Sequence, residues 1–170
     1  KLFVPGSRTN FFEKAAASAA DVVCLDLEDA VAPSDKEQAR DNIVQALNDV
    51  DWKGKTVTVR VNGLDTAYCY RDILALVEKG GEKLDAIMIP KVGTAADIYA
   101  VDWLVTQASM SVGRKKKIGL EVIIETVLGL KNIDEIAGAS KRLESLHFGS
   151  ADYAASQGMR TTNIGGGNAD

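Results

Sequence analysis

The chain has 170 residues, 46% of them hydrophobic and 26% charged, with a formal net charge of −4. That balance suits a globular protein with one sizeable core, and the acidic surplus argues against nucleic acid as the main partner. No apolar run approaches the roughly 20 residues that cross a bilayer, and the N-terminus lacks a basic region followed by an apolar stretch, so neither a membrane nor a leader is expected.

Cys24 and Cys69 stand far apart in no metal-ligand spacing, and Cys24 sits inside an apolar run. A small buried side chain and a reducing, cytoplasmic setting are the expectation. The one basic cluster, Gly113–Lys117, falls between two periodic segments and reads as a solvated loop.

In chain order, strand and helix patterns alternate. "LFVPG" (Leu2–Gly6) reads as a short strand and turn, residues 10–20 as an Ala-rich helix, and "VVCLDL" (Val22–Leu27) as a buried strand. Ser34 with Glu37 forms a predicted capping box before a helix whose apolar face is Ala39, Ile43, Ala46 and Leu47. "TVTVRVNG" (Thr56–Gly63) is the third strand, followed by a helix over 68–79 that stops at Gly80 and Gly81. "AIMIPKVG" (Ala86–Gly93) is the fourth, and Thr94 with Asp97 boxes the next helix. "IGLEVIIE" (Ile118–Glu125) is the fifth, residues 128–138 are helical, and Leu143–Asp152 contain the sixth.

Strands and helices repeating at roughly 30-residue spacing imply βαβ units and a parallel sheet. The sheet could stay open and doubly wound or close into a (β/α)8 barrel. No G-x-G-x-x-G follows the first strand, and charged residues gather at successive strand ends, where a barrel builds its site. The barrel is therefore preferred. Six strands fall short of eight, so residues 1–170 read as one incomplete barrel domain lacking its C-terminal strands and a few N-terminal residues. The closing "TTNIGGGNAD" resembles an active-site loop rather than a terminus.

Alternation in the third strand puts Val57, Val59 and Val61 on one face and Thr58, Arg60 and Asn62 on the other. The polar face should turn inward, placing Arg60 at the barrel mouth, where it either meets an anionic ligand or pairs with Glu28 or Asp29. Glu125 ends the fifth strand and Asp152 follows Gly149, Ser150 and Ala151 after the sixth. Two carboxylates without nearby His or Cys suit a hard cation such as Mg2+, although acidic residues also cap strand ends for purely structural reasons. Lys91 could form a Schiff base or serve as a charge partner. His147, the only histidine, reads as packed and hydrogen-bonded.

The stretches "LFVPGSR", "LDLEDAVAPSDK", "VRVNGLDT", "IMIPKVG", "EVIIET" and "FGSADYAASQG" occur in this order and together resemble the HpcH/HpaI aldolase and citrate lyase β-subunit superfamily over essentially the whole chain. "NGLDT", "YRDI", "DIYAVD" and "ADYAAS" resemble its malyl-CoA branch. The resemblance implies a modified (β/α)8 barrel assembled as a homotrimer or homohexamer. It implies Claisen-type cleavage of a CoA thioester with Mg2+, or Mn2+ as a substitute, here malyl-CoA to acetyl-CoA and glyoxylate, and β-methylmalyl-CoA to propionyl-CoA and glyoxylate. By the same resemblance Glu125 and Asp152 are metal ligands, and Arg60 contacts the oxo-acid and the enolate oxygen. Glu28 and Asp29 flank the metal, while Phe3, Arg8, Lys14 and Ala151 belong to the substrate and CoA site. An acidic residue from the C-terminal region of a neighbouring subunit would complete the acid–base machinery. Citramalyl-CoA or citryl-CoA cleavage, thioester hydrolysis and a non-catalytic CoA-ester sensor remain the alternatives.

Overall fold

The computed structural model describes residues 1–160; the "TTNIGGGNAD" stretch lies outside the described residues. Six strands, β1 (Leu2–Pro5), β2 (Val22–Asp26), β3 (Thr56–Arg60), β4 (Ala86–Ile89), β5 (Gly119–Ile124) and β6 (Leu143–Phe148), form one sheet in the order β1-β2-β3-β4-β5-β6. Every pairing is parallel. A doubly wound sheet reverses its order at a switch point, whereas a barrel adds each strand beside the last. The strictly sequential order is that of six strands of a (β/α)8 barrel.

The helices are α1 (Phe12–Ala17), α2 (Lys36–Asp49), α3 (Cys69–Lys79), α4 (Ala95–Ser111), α5 (Val127–Lys131), α6 (Ile133–Ala137) and α7 (Ser150–Ser156). Alternation along the strands divides the molecule in two. Val23, Leu25, Val57, Val59, Ile87, Ile89, Leu120, Val122 and Ile124 face the helices and join the main apolar core, while Cys24, Met88 and Ile123 form a separate cluster on the other, lumenal side. Continuing each lumenal row to the strand's C-terminal end gives Asp26, Arg60 and, just past β5, Glu125. The pleat that packs the core thus also aims these charges into the mouth.

Several element ends differ from the sequence reading. Ser34 forms no capping box: Pro33–Asp35 make a 3-10 turn, and the Ser34 hydroxyl donates to Asp35 Oδ1 at 2.9 Å instead. At α4 the Asp97 carboxylate does accept the Thr94 N–H at 2.9 Å, and the Gly93 N–H at 2.8 Å as well. The helix expected over 128–138 breaks into α5 and α6 at Asn132, whose side-chain amide donates to Gly93 O at 2.9 Å. The basic run near Gly113 does more than meet solvent: Lys116 reaches Asp85 at 2.7 Å and Arg114 donates to Gly81 O.

Asn62 is corrected too. Strand β3 stops at Arg60, and the Asn62 side chain turns to the helix layer, donating to Asp72 Oδ2 at 2.6 Å, with its N–H donating to the same oxygen at 3.1 Å. Asp72 Oδ1 accepts from Arg40 Nε at 2.8 Å, and Asp72 is fully buried. This triad ties α2 and α3 to the loop after β3. Removing one partner of a buried ion pair strands the other in a low-dielectric site, so Asp72→Ala is expected to destabilise the protein by about 3–5 kcal/mol. The urea midpoint of the full-length protein checks this, and an unchanged midpoint would show that the triad contributes nothing.

Candidate active site

The centre of the mouth is Arg60. Its partner in register across the sheet is Asp26, so the last residues of β2 and β3 stand side by side with opposite charge. Arg60 Nε donates to Asp26 Oδ1 at 2.8 Å and Nη2 to Oδ2 at 2.6 Å, a bidentate pair. Nη1 lies 2.7 Å from Glu28 Oε2 and 3.8 Å from Asp29 Oδ2. Burial alone would lower the Arg60 pKa, but the hydrogen bonds and charges of Asp26, Glu28 and Asp29 outweigh it and raise it. The Phe3 ring completes the surround, its centroid 5.6 Å from the guanidinium carbon.

The pairing with Glu28 and Asp29 weighed from the sequence is therefore present, but Asp26, within β2 itself, is the main partner. Its signal was available. Alternation puts Cys24 and Asp26 on the same face of β2, just as it puts Thr58 and Arg60 on the lumenal face of β3.

Glu28 and Asp29 sit in the loop after β2, which is pinned by buried Lys36, donating to Leu27 O at 2.6 Å and Glu28 O at 2.7 Å. Burial lowers the Lys36 pKa against the pull of the surrounding carboxylates. Burial also raises the pKa of Glu28, against the hydrogen bond from Lys91 and the charge of Arg60. Although Arg60 is close, no donor among the described residues is aligned with Glu28 Oε2, which stays buried without a hydrogen bond.

Lys91 follows β4 by two residues. Its ammonium donates to Glu28 Oε1 and lies 3.5 Å from Asp29 Oδ1. Burial would lower its pKa, but the bond to Glu28 and the charges of Glu28, Asp29 and Asp152 raise it. A Schiff base needs the free amine, so this geometry favours the charge-partner reading.

Glu125 is 3% exposed and accepts the Lys91 backbone N–H at Oε1, 2.8 Å away. Among the described residues no side-chain cation pairs with it. Burial, then the negative charges of Asp152 and Glu28, push its carboxyl up to about 7, against the Lys91 N–H. Asp152 lies in the first turn of α7 rather than at a strand end, with Ala151 beside it, both half-buried. Gly149 passes so close that a Cβ there would sit 2.5 Å from Glu125 Oε2. Only glycine lets the β6–α7 turn approach that carboxylate.

The remaining sequence candidates divide. Phe3 and Lys14 line one groove of about 300 Å³ with Leu2, Pro5 and Phe11, and Lys14 Nζ stands 5.5 Å over the Phe11 ring. Arg8 is exposed in the turn before α1, outside that lining. A second cleft of about 320 Å³ opens beside Glu28, Asp29 and Lys91 and is walled by Asn62, Thr66 and Tyr68. A roomier cleft of about 450 Å³ near α1 and α2 contains none of the candidates. His147 is half-buried in the lumen, with Ser145 Oγ 3.0 Å from Nε2; burial lowers its pKa, and Lys1 reinforces this.

Whether the site suits a cation is decided by its donors. Among the described residues no three His, Cys, Asp or Glu side chains converge as a metal cluster. Two carboxylates, one of them buried without a cation, nevertheless fit Mg2+, which takes one or two protein carboxylates and fills its other positions with water and substrate.

The family HpcH/HpaI aldolase/citrate lyase matches residues 1–167. The chain belongs to that family. The L-malyl-CoA/β-methylmalyl-CoA lyase of Rhodobacter capsulatus is 59% identical over 166 residues, covering 98% of this chain and 52% of the relative. The chain thus spans about half the length of the curated relatives it matches. CitE of Mycobacterium tuberculosis, solved in complex with magnesium and acetoacetate, superposes with a TM-score of 0.73 at 31% identity, covering 96% of this chain and 59% of that one. Malate synthase of Haloferax volcanii shares the fold, with a TM-score of 0.83 at 21% identity over 94% of this chain and 52% of its own.

The Glu125 environment predicts a pH signature. In the metal-free folded protein its carboxyl titrates at about 7 instead of 4.5, so between those values the folded state keeps a proton that the unfolded state has lost. Stability contributed by the protonated form therefore falls as pH rises through this window. Thermal melting of metal-free protein from pH 4.5 to 7.5, against Glu125→Gln, checks the sign. A wild-type slope no steeper than that of the variant would contradict it.

Proposed function

We propose that this chain is part of a Mg2+-dependent carbon–carbon lyase. It would cleave malyl-CoA to acetyl-CoA and glyoxylate in a reversible Claisen-type reaction, and β-methylmalyl-CoA to propionyl-CoA and glyoxylate. The observation that carries the reading is that Arg60 and a buried Glu125, without a side-chain cation among the described residues, stand at C-terminal strand ends of one parallel sheet, in a chain 59% identical to a lyase of that name. We further propose that residues 1–170 belong to a single barrel domain completed by strands and a C-terminal region outside this sequence. A cytoplasmic homotrimer or homohexamer is proposed on the family resemblance. No helix among the described residues is long and apolar enough to cross a membrane.

In the cleavage, the bond between the second and third carbons of the malyl group breaks. The hydroxyl proton leaves to a base as the aldehyde of glyoxylate forms, and the bonding pair passes into the thioester as an enolate, which then takes a proton at carbon. Glu125 and Asp152 would hold the cation, which when bound supplies Lewis acidity toward the substrate's oxygens. Support for such an ion comes from the carboxylates described above and from the magnesium in the CitE complex.

Arg60 supplies fixed positive charge. A guanidinium has five N–H donors; Asp26 takes two and Glu28 lies against the third nitrogen, so N–H groups remain for the oxo-acid and the developing oxyanion. Asp26 and Glu28 hold the guanidinium still before the reaction, so little reorganisation is needed when charge develops. Phe3 and Lys14, sharing one groove, suit the CoA portion; Arg8 is proposed to join them as an exposed anion contact, and Ala151 as a small neighbour of the metal site. The acid–base residue expected from a neighbouring subunit would complete turnover.

Full-length gene product with malyl-CoA and Mg2+ should release glyoxylate, and chelator should abolish the release. Free malate and CoA without glyoxylate would replace this reading with a thioesterase. Arg60→Ala should lower kcat by about 10²- to 10³-fold, the usual loss for one oxyanion donor. Asp26→Asn, which frees the guanidinium without removing it, should lower kcat by roughly tenfold or more while CoA-ester binding holds. Equal kcat in wild type and Asp26→Asn would remove Asp26 from the account.

A further inference from the structure

Lys91 is one of two non-glycine residues with positive φ among the described residues, at +53°. The other, Lys53, sits in a surface turn where its N–H donates to Asp51 Oδ1 at 3.0 Å. Glycines Gly54, Gly81, Gly113 and Gly158 fill the remaining left-handed positions. A turn alone would be served by glycine without strain, so a lysine held left-handed at a strand end points to a use for both its backbone and its side chain.

Both are in use. In an extended residue the N–H lies in the sheet plane and the side chain stands perpendicular to it. The positive φ of Lys91 sets its side chain at an angle to its N–H that an extended residue does not offer, so the N–H meets Glu125 Oε1, beyond β5, while the ammonium reaches back past β3 to Glu28 Oε1, beyond β2. One residue therefore grips carboxylates on both sides of its own strand. With Oε1 occupied by this N–H, Oε2 is the oxygen of Glu125 that Gly149 approaches.

We propose that Lys91 is a positioning residue: its left-handed backbone orients Glu125 so that Oε2 is offered to a cation, and its ammonium fixes Glu28, and through Glu28 the guanidinium of Arg60. The kinetic half rests on the lyase reading; the metal half rests only on the cation site proposed at Glu125 and Asp152.

The test uses full-length protein with three substitutions, scored by kcat for glyoxylate release and by Mn2+ affinity from the free-ion EPR signal. Lys91→Gly keeps the left-handed backbone but removes the ammonium, so Mn2+ should bind within about threefold of wild type while kcat falls about tenfold or more. Lys91→Val also lacks the ammonium and resists positive φ, so Mn2+ affinity should fall about tenfold below that of Lys91→Gly. Lys91→Arg, which keeps a cation, should recover part of the kcat that Lys91→Gly loses. Should Lys91→Val not fold, Lys91→Leu against Lys91→Asn carries the same contrast, since Asn tolerates the left-handed region. Wild-type kcat in Lys91→Gly, or no recovery in Lys91→Arg, overturns the side-chain half. Equal Mn2+ affinity in the Gly and Val variants overturns the backbone half. A wild-type protein without lyase activity would sink the lyase reading and still leave the Mn2+ contrast to judge the clamp.

Discussion

Everything at the mouth depends on holding one guanidinium among carboxylates at the ends of parallel strands. Register places Asp26 against Arg60, and the bidentate bond between them fixes where the next charges can go. From Arg60 the contacts run to Glu28, from Glu28 to the Lys91 ammonium, and from the Lys91 backbone to Glu125. These contacts join the ends of β2, β3, β4 and β5, with the loop after β2 bridging β3 and β4. A barrel suits this because each strand contributes one position to the same rim, and sequential order keeps those positions adjacent.

The charges at this rim do not balance. Asp26, Glu28, Asp29, Glu125 and Asp152 gather around Arg60, Lys91 and Lys36, a formal surplus of two negative charges. The cations cluster toward β2, leaving Glu125 and Asp152 with the surplus. In a buried site such an excess is relieved by taking up protons or cations. The upward shift at Glu125 is the protonic answer; a divalent ion would be the other.

Pattern read from the sequence located all six strands, put Arg60 on the face that proves lumenal and placed Glu125 at the end of the fifth. What it left out was long-range. Asp72 and Arg40 lie on the buried faces of α3 and α2, among Ile73 and Leu76 and among Ala39 and Ile43, and two opposite charges on two apolar faces were a readable hint of a pair. Asn62 lies two residues beyond the end of β3 at Arg60, so the alternation was carried past the pleat that justified it. Ser34 and Asn132 show the other weakness. Short polar side chains at helix ends choose among nearby acceptors, and those belong to other elements.

The division between core and rim explains how such a site can be sustained. Strain at Lys91, a Glu28 oxygen without a donor among the described residues and like charges at Glu125 each work against folding, and they sit on the lumenal side at the strand ends. The opposing stabilisation lies on the other face of the same strands, where Val23, Val59, Ile87 and Val122 pack against the helices. Because side chains alternate across a strand, the two demands fall on different residues: a substitution at the rim can relieve a charge without opening a cavity in the core. The Asp72 triad joins the two regimes, since it anchors the loop after β3 from the helix side while that loop supplies Asn62 to the cleft beside Glu28. A rigid outer layer thus holds an inner rim in an arrangement the rim's own charges would not choose.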